Sequence, residues 1–285
     1  MGITADNDSG DDTERILQIR WVAHAHRPAP IKAQTAAEAL ELLNAGSRGF
    51  GDLGKTGGEV KMRLDPEALG FVNDTDADGI LNQEPFAAVL SCSDARVPIE
   101  LALGSGANDL FVVRIAGNVP GAECLGSFHY ASTHLPRVKL FAVIGHSQCG
   151  AVTTAVDALL FPETYPSLAQ VAPLREIVDS LFGSVRLAAY ALQQITGEAT
   201  FLAAADSASL REALIGVSAL ANAALSSSVV GGNLGRDAAY GVYDLTQRTV
   251  GVMRSHGWEH GLRVAPTDDA ELQHALREAA VGYLA

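Results

Sequence analysis

Cysteine is scarce in this sequence: only Cys92, Cys124 and Cys149 occur among its 285 residues. Three scattered thiols are too few for the disulfide framework that stabilises small secreted proteins. The sequence therefore argues against that class and leaves its thiols available to bind a metal ion.

Basic residues are also few compared with acidic ones. The 20 Lys and Arg residues face 33 Asp and Glu residues, which gives a formal net charge of -13. This charge opposes binding to a phosphate backbone or an anionic membrane, so we expect neither nucleic acid nor membrane as a partner. Residues 1–14 are polar and acidic, unlike a secretory signal, and no later stretch reaches about 18 uncharged apolar residues. We therefore expect a soluble, cytoplasmic protein.

The composition predicts a folded globule, because 48% of the residues are hydrophobic and 19% are charged. We expect two parts, an N-terminal arm over residues 1–35 and one catalytic domain over residues 36–285. Within the arm, residues 1–12 have a disordered composition. The apolar residues of Glu14 to Arg27 predict a helix that ends before Pro28.

Three short apolar runs have the character of strands buried on both faces of a parallel sheet: Phe86 to Leu90, Leu110 to Ile115, and Val138 to Ile144. Helical stretches lie between them, at Pro98 to Leu103 and Ser127 to His134. The alternation predicts the α/β class, with a central, mainly parallel sheet flanked by helices.

Helices and strands are also predicted on either side of this unit. Thr35 and Glu38 have capping-box spacing before a helix that we expect to stop at Gly46. The remaining predictions are a helical region over Ala151 to Leu225, strands at Tyr240 to Leu245 and Thr249 to Met253, and a final helix at Asp268 to Leu284.

Two of the predicted strands run directly into candidate metal ligands. Cys92 follows the first strand, and His146 and Cys149 follow the third. The carboxyl ends of parallel strands form the binding edge of such a sheet, so these side chains converge there. Thiolate sulfur and imidazole nitrogen are the donors that Zn²⁺ prefers, and three protein ligands leave a fourth position for water. The sequence therefore predicts a catalytic zinc site.

The pattern C-x-D-x-R at residues 92–96, followed by H-x-x-C-G at residues 146–150, resembles the signature of the beta-class carbonic anhydrases. The resemblance extends from about Ala36 to Met253. It implies a beta carbonic anhydrase-like fold and reversible hydration of carbon dioxide to bicarbonate by a zinc-bound hydroxide.

The resemblance also implies roles for individual residues. Cys92, His146 and Cys149 would bind zinc. Asp94 would either accept a hydrogen bond from the zinc-bound hydroxide, held in place by Arg96, or become the fourth ligand. The sequence leaves both arrangements open.

Two further positions are implied to contact the substrate. The Gly150 amide lies at a predicted helix start, where free N–H groups and the helix dipole favour an anion such as bicarbonate. By resemblance, Gln83 would reach across a subunit interface to the substrate, which implies a homodimer or larger homo-oligomer. His129, His134 and buffer remain alternatives for the proton shuttle.

Two other functions remain open on the same residues. One is hydrolysis of carbonyl sulfide or carbon disulfide, which present the same electrophilic carbon. The other is a zinc- or bicarbonate-binding protein without catalytic activity.

The remaining polar motifs favour simpler interpretations. We expect Cys124 to be a packing residue, Asp74 to Gly79 to be a solvated acidic turn rather than a calcium loop, and His24 and His26 to face solvent.

Overall fold

The computed structural model describes residues 33–56, 82–204 and 207–285 of the chain. The predicted arm lies almost wholly outside these ranges, as do His24, His26 and the acidic stretch Asp74 to Gly79. The division into an arm and a catalytic domain therefore stays a prediction.

A single mixed sheet forms the centre of the described structure, with the order β2-β1-β3-β4-β5-β6 and β7 paired to β4. The first four strands run parallel, and β5, β6 and β7 add antiparallel pairs. The strands are β1 (Ala87–Ser91), β2 (Leu110–Arg114), β3 (Leu140–His146), β4 (Ala238–Asp244), β5 (Thr249–Arg254), β6 (Gly257–His260) and β7 (Arg263–Val264). The predicted α/β class with a mainly parallel sheet is confirmed.

Helices cover both faces of this sheet. They are α1 (Ala36–Thr56), α2 (Ile99–Ala102), α3 (Ala122–His134), α4 (Gly150–Leu160), α5 (Tyr165–Ala169), α6 (Ala172–Thr196), α7 (Glu198–Ala203), α8 (Ala208–Leu234) and α9 (Asp269–Leu284), with two short 3₁₀ turns at Ala116–Asn118 and Pro162–Thr164.

Alternation along β1 shows how the two faces are filled. Ala87 and Val89 pack into the cluster that contains α1 and α2, whereas Ala88 and Leu90 pack into the cluster that contains α3. Every residue of β1 and β3 is buried. These central strands therefore lack polar faces, as their uninterrupted apolar sequence predicted.

The start of α1 follows the prediction, but its end does not. The Glu38 amide donates to Thr35 Oγ1 at 3.2 Å, and Glu38 Oε2 accepts from the Gln34 amide at 2.7 Å. The predicted stop at Gly46 is wrong, because α1 continues to Thr56. A Cβ at position 46 would collide with the Leu103 carbonyl, so this glycine allows close backbone contact rather than ending the helix.

Several other boundaries differ from the prediction. Helix α3 begins at Ala122 instead of Ser127, and α8 continues past Leu225 to Leu234. It ends at Gly235, whose φ of 58° is the left-handed conformation typical of a helix C-terminus. The short strands β6 and β7 were not predicted, because four and two residues are too few to show a period.

One helix of the described structure, α8, is long and apolar enough to span a membrane. However, 78% of its most apolar window is buried inside the protein. This burial is typical of the central helix of a globular core.

Candidate metal centre

The register of β1 and β3 brings the three predicted ligands together. Ser91 is paired with Ile144, so Cys92 emerges beside the end of the strand that carries His146. The Sγ atoms of Cys92 and Cys149 are 3.9 Å apart. One ligand atom from each of the three residues lies within 4.8 Å of the others. All three side chains are also buried.

The His146 ring has one nitrogen engaged and one free to bind a cation. Its Nδ1 lies 2.9 Å from the Ser147 carbonyl oxygen, to which it donates as the protonated nitrogen. Its Nε2 is buried without a hydrogen-bond partner among the described residues. A buried imidazole nitrogen rarely remains unsatisfied. Metal-bound histidines commonly show this division of roles between their two nitrogens. The arrangement therefore fits a metal ligand.

The two thiols perturb each other strongly. Their mutual hydrogen bond is the largest cause that lowers the pKa of Cys92. The same contact, together with burial, raises the pKa of Cys149. One thiolate is therefore favoured next to a protonated partner. A divalent cation would favour both thiolates, since its charge offsets their repulsion.

Asp94 lies beside the cluster and is held by Arg96. The guanidinium donates through Nε to Oδ1 at 3.0 Å and through Nη2 to Oδ2 at 2.7 Å, and the Arg96 amide also donates to Oδ1 at 2.9 Å. The Arg96 side chain is the main cause that holds the pKa of Asp94 well below its usual range. Asp94 Oδ2 is 3.7 Å from His146 Nε2. The carboxylate is thus ionised and fixed at the mouth of the site.

Arg114 fixes the loop that follows β1, a role that no pattern in the sequence predicted. It donates through Nε to the Cys92 carbonyl at 3.0 Å and through Nη2 to the Asp94 carbonyl at 2.7 Å. Its position at the end of β2, opposite Ser91, explains this reach. The signal in the sequence was an arginine that ends an apolar strand.

The loop that follows β3 is held mainly by its neighbours in the sheet. The Ser147 amide donates to the Tyr243 carbonyl at 2.9 Å, and Ser147 Oγ accepts from the Leu245 amide at 2.9 Å. Gln148 adopts a φ of +55°, which turns the chain into α4. The Gln148 carbonyl accepts from Arg96 Nη2 at 3.3 Å, and this bond joins the two ligand loops.

Gly150 is the first residue of α4, at the helix start where the sequence predicted it. The next two amides, of Ala151 and Val152, act on the Cys149 sulfur and lower its pKa against the effect of burial. This helix N-terminus therefore favours the thiolate form of Cys149, against the opposing effects of burial and of Cys92.

Gln83 is exposed and lies before β1, whereas the cluster follows the opposite end of that strand. Five strand residues span about 17 Å, so these two features occupy opposite ends of β1 within one chain. The structure does not bring Gln83 to its own cluster.

The other singled-out residues lie on α3. Cys124 is buried in the cluster around Phe128, as expected of a packing residue. The ring of His134 lies 4.9 Å from that of Tyr130, measured between centroids. His129 is exposed on the same helix. No contact in the described structure singles out either histidine as a proton shuttle.

Comparison with known proteins agrees with this geometry. A family model described as carbonic anhydrase matches residues 87–207. Carbonic anhydrase 2 of Mycobacterium tuberculosis is 46% identical over 77 residues, which cover 27% of this chain and 37% of that protein. The carbonic anhydrase of Emericella nidulans is 37% identical over 99 residues, covering 34% and 40% of the two chains. The match thus spans well under half the length of either relative.

Solved structures give weaker similarity. A tetrameric beta-carbonic anhydrase from Sordaria macrospora aligns with 59% of this chain and 80% of its own, at 21% identity and a TM-score of 0.46. The beta-carbonic anhydrase CcaA aligns with 60% and 80%, at 22% identity and a TM-score of 0.45. Residues 87–207, which match the family model described as carbonic anhydrase, include all three candidate ligands.

Proposed function

We propose that the protein is a zinc enzyme that interconverts carbon dioxide and bicarbonate, with Cys92, His146 and Cys149 as the metal ligands. The observation that carries this proposal is the buried cluster of two thiols and an unpartnered imidazole Nε2, with an ionised carboxylate 3.7 Å from that nitrogen. Two thiolates and a neutral imidazole suit a divalent, borderline-soft ion. When bound, zinc lowers the pKa of a coordinated water to about 7 and so supplies a nucleophile at neutral pH.

Asp94 has the role of orienting the attacking oxygen. Because Arg96 keeps the carboxylate ionised, Asp94 acts only as a hydrogen-bond acceptor and fixes the direction of the nucleophile's O–H bond. Arg96 also prevents the carboxylate from rotating, since it contacts both oxygens. The Gly150 amide at the start of α4 is proposed to receive the negative charge that develops on the substrate oxygen.

Stopped-flow measurement of carbon dioxide hydration by the zinc-loaded protein tests this activity, with release of sulfide from carbonyl sulfide and carbon disulfide followed in parallel. We expect rapid hydration and little sulfide release. Robust sulfide release without hydration would favour the alternative hydrolase, and neither activity in a zinc-loaded protein would favour a binding protein.

The variant Asp94→Asn tests the proposed role of the carboxylate. It should keep zinc but lose about 10²-fold or more of the hydration rate, since the amide cannot replace the charged acceptor. Asp179→Asn is the matched control, because Asp179 lies on α6 and accepts a hydrogen bond from the Tyr165 hydroxyl of α5. Wild-type rates in Asp94→Asn would disprove the assignment.

We also propose that the active unit is a homodimer or larger homo-oligomer in which Gln83 enters the site of a second subunit. Two features support this assembly. Gln83 lies at the far end of β1 from its own cluster, and β2 is an edge strand whose apolar residues, Leu110 to Val113, remain only partly buried. An apolar edge that the described residues cover only in part, next to a site, is a natural surface for a second copy.

Complementation between two inactive variants tests this role of Gln83. A freely reassorted 1:1 mixture of Gln83→Ala and His146→Ala subunits should regain about a quarter of the wild-type activity, because about half of the dimers are mixed and each mixed dimer has one complete site of two. No recovery in demonstrably mixed oligomers would contradict the proposal.

The free thiols and acidic composition further favour a cytoplasmic location, which cell fractionation would test.

A further inference from the structure

We propose that Asn222 of α8 is a positioning residue for the metal centre, acting through Gly117 on the Cys92 sulfur. It is 130 residues away from Cys92 in the sequence and outside the loops that carry the ligands. The inference rests on the proposed zinc site, but it concerns a separate part of the fold.

Two hydrogen bonds connect Asn222 to the ligand. Asn222 Nδ2 donates to the Gly117 carbonyl at 2.7 Å, and the Gly117 amide donates to Cys92 Sγ at 3.4 Å. These bonds use the two sides of a single residue, so the orientation of Gly117 fixes both. A side-chain amide on α8 is thereby coupled to a thiolate at the end of β1.

Gly117 has a backbone that depends on such support. Its φ of +69° lies in the left-handed region, and a Cβ there would stand 3.3 Å from both Ala151 Cβ and Leu181 Cδ1. Glycine is the residue that adopts this conformation readily, but it also has the greatest freedom to leave it. The bond from Asn222 restricts that freedom on the carbonyl side.

Asn222 is an unusual residue for its place in α8. It is only 4% exposed, among neighbours that include the buried Ala221, Ala223 and Ala224. Asparagine is a poor helix former, and a buried amide that loses its partner costs about 1–3 kcal/mol. The short bond to Gly117 supplies a partner for this amide. The partner is the loop residue that contacts the ligand, which links the helical layer to the metal centre.

The amide bond to sulfur has a chemical consequence for the site. An N–H···S contact reduces the electron donation of a thiolate and holds the sulfur in one direction. Loss of comparable outer contacts typically lowers metal affinity or activity by about 10–100-fold. We therefore expect Asn222 to affect how firmly zinc is held, although it does not touch the ion.

Two substitutions separate the hydrogen bond from packing. Asn222→Leu keeps much of the buried volume but cannot donate, whereas Asn222→Ala also removes volume. Ser227→Ala is the matched control on the same helix, since the Ser227 hydroxyl is buried and bonds only to Ala224 of α8 itself. Each full-length variant is loaded with zinc, and the rate at which it releases zinc to an excess of a chromogenic chelator is measured. A second sample of each variant is loaded with Co²⁺.

Both Asn222 variants should release zinc about 10-fold or more faster than the wild type, and the thiolate-to-cobalt charge-transfer band should shift to lower energy. Ser227→Ala should match the wild type in both measurements. The cobalt band reports on the sulfur itself, so a general loss of stability would not reproduce the shift.

Wild-type zinc release and an unshifted cobalt band in Asn222→Leu would overturn the inference, even if Asn222→Ala is destabilised. Hydration of carbon dioxide by the zinc-loaded wild type is measured in the same series. Active wild type with unaffected Asn222→Leu means that only this inference fails. A wild type that binds no zinc would refute both this inference and the proposed function.

Discussion

The ligand-bearing edge of the sheet and the helical layer of α8 and α9 are held together by different interactions. At the edge, directional hydrogen bonds to backbone groups fix the loops, as when Arg114 donates to the Cys92 and Asp94 carbonyls. In the helical layer, shape dominates: Gly216 of α8 lies so close to Tyr283 of α9 that a Cβ at position 216 would collide with the tyrosine ring. The hydrogen bonds at the edge therefore position the candidate ligands, whereas the packing of the helical layer stabilises the fold.

This comparison leads us to expect two classes of variant. Substitutions at the edge should reduce metal binding and activity while the chain stays folded. Substitutions in the helical layer should lower the free energy of unfolding while metal content per folded molecule stays unchanged. Asn222 lies on α8 but bonds to Gly117 beside the edge. We therefore expect its variants to behave like edge substitutions, with reduced metal binding in a folded chain.

The largest effect is expected for Cys149→Ser. Serine offers a poor ligand at neutral pH, so the variant should lose most of its zinc and nearly all hydration activity. Zinc content measured by atomic absorption after gel filtration checks this expectation. Cys124→Ser is the control, because that thiol lies in the core around Phe128 and should leave zinc content unchanged. Full zinc occupancy in Cys149→Ser would show that the ligand set is different.

Arg114→Met should have the next largest effect at the edge. Removing the guanidinium frees the Cys92 and Asp94 carbonyls, so the loop loses two directional contacts. We expect zinc affinity to fall about 10-fold or more, measured by competition with a chelator. Arg137→Met is the matched control, since Arg137 forms a surface ion pair with Glu84 at 2.8 Å and should have little effect. Equal affinities in the two variants would contradict the role of Arg114.

In the helical layer, one substitution at two positions gives opposite outcomes. Gly216→Ala should lower the free energy of unfolding by about 1–3 kcal/mol, because the added methyl group displaces Tyr283. Gly232→Ala should raise it by about 0.5–1 kcal/mol, since nothing lies near that Cβ and alanine favours a helix. Urea unfolding measures both. Destabilisation of similar size at both positions would show that the Tyr283 contact does not limit packing.

The last expected effect appears only at alkaline pH and concerns Tyr283 of the helical layer. Burial raises the pKa of Tyr283 to about 12. In the unfolded chain this tyrosine ionises first, at about pH 10. The stability that the folded state gains from neutral, buried Tyr283 is therefore complete below that pH and is lost as pH rises toward 12. The loss of stability due to Tyr283 should reach about 2 kcal/mol. In Tyr283→Phe this loss should be absent. Urea unfolding at about pH 9 and 11.5 measures the difference. An identical alkaline loss in Tyr283→Phe would contradict it.

The strands and the three ligands were predictable because their signals are local. Uninterrupted apolar runs identified β1, β2 and β3. The carboxyl ends of parallel strands meet at one edge of the sheet, which placed Cys92 near His146 and Cys149. Gly46 shows the limit of such reasoning. A glycine in a helical sequence indicates either an end or a close contact, and only the position of Leu103 reveals that it is a contact.

Arg114 and Asn222 show what sequence patterns could not provide. Neither has a motif of its own, and Asn222 contacts a residue 105 positions away along the chain. The contact of Asn222 depends on how α8 packs on β3 and β4, and the contacts of Arg114 depend on the register of β1 and β2.

By itself the sequence determined the α/β class, the order of the main elements and a Cys-His-Cys set of candidate ligands, because hydrophobic period and donor chemistry belong to neighbouring residues. The tertiary structure alone decided that Arg114 holds the Cys92 and Asp94 carbonyls, that Arg96 reaches the Gln148 carbonyl, and that Asn222 of α8 supports Gly117. These are distances between segments that meet only after folding, since each is the sum of strand register, helix crossing and loop geometry.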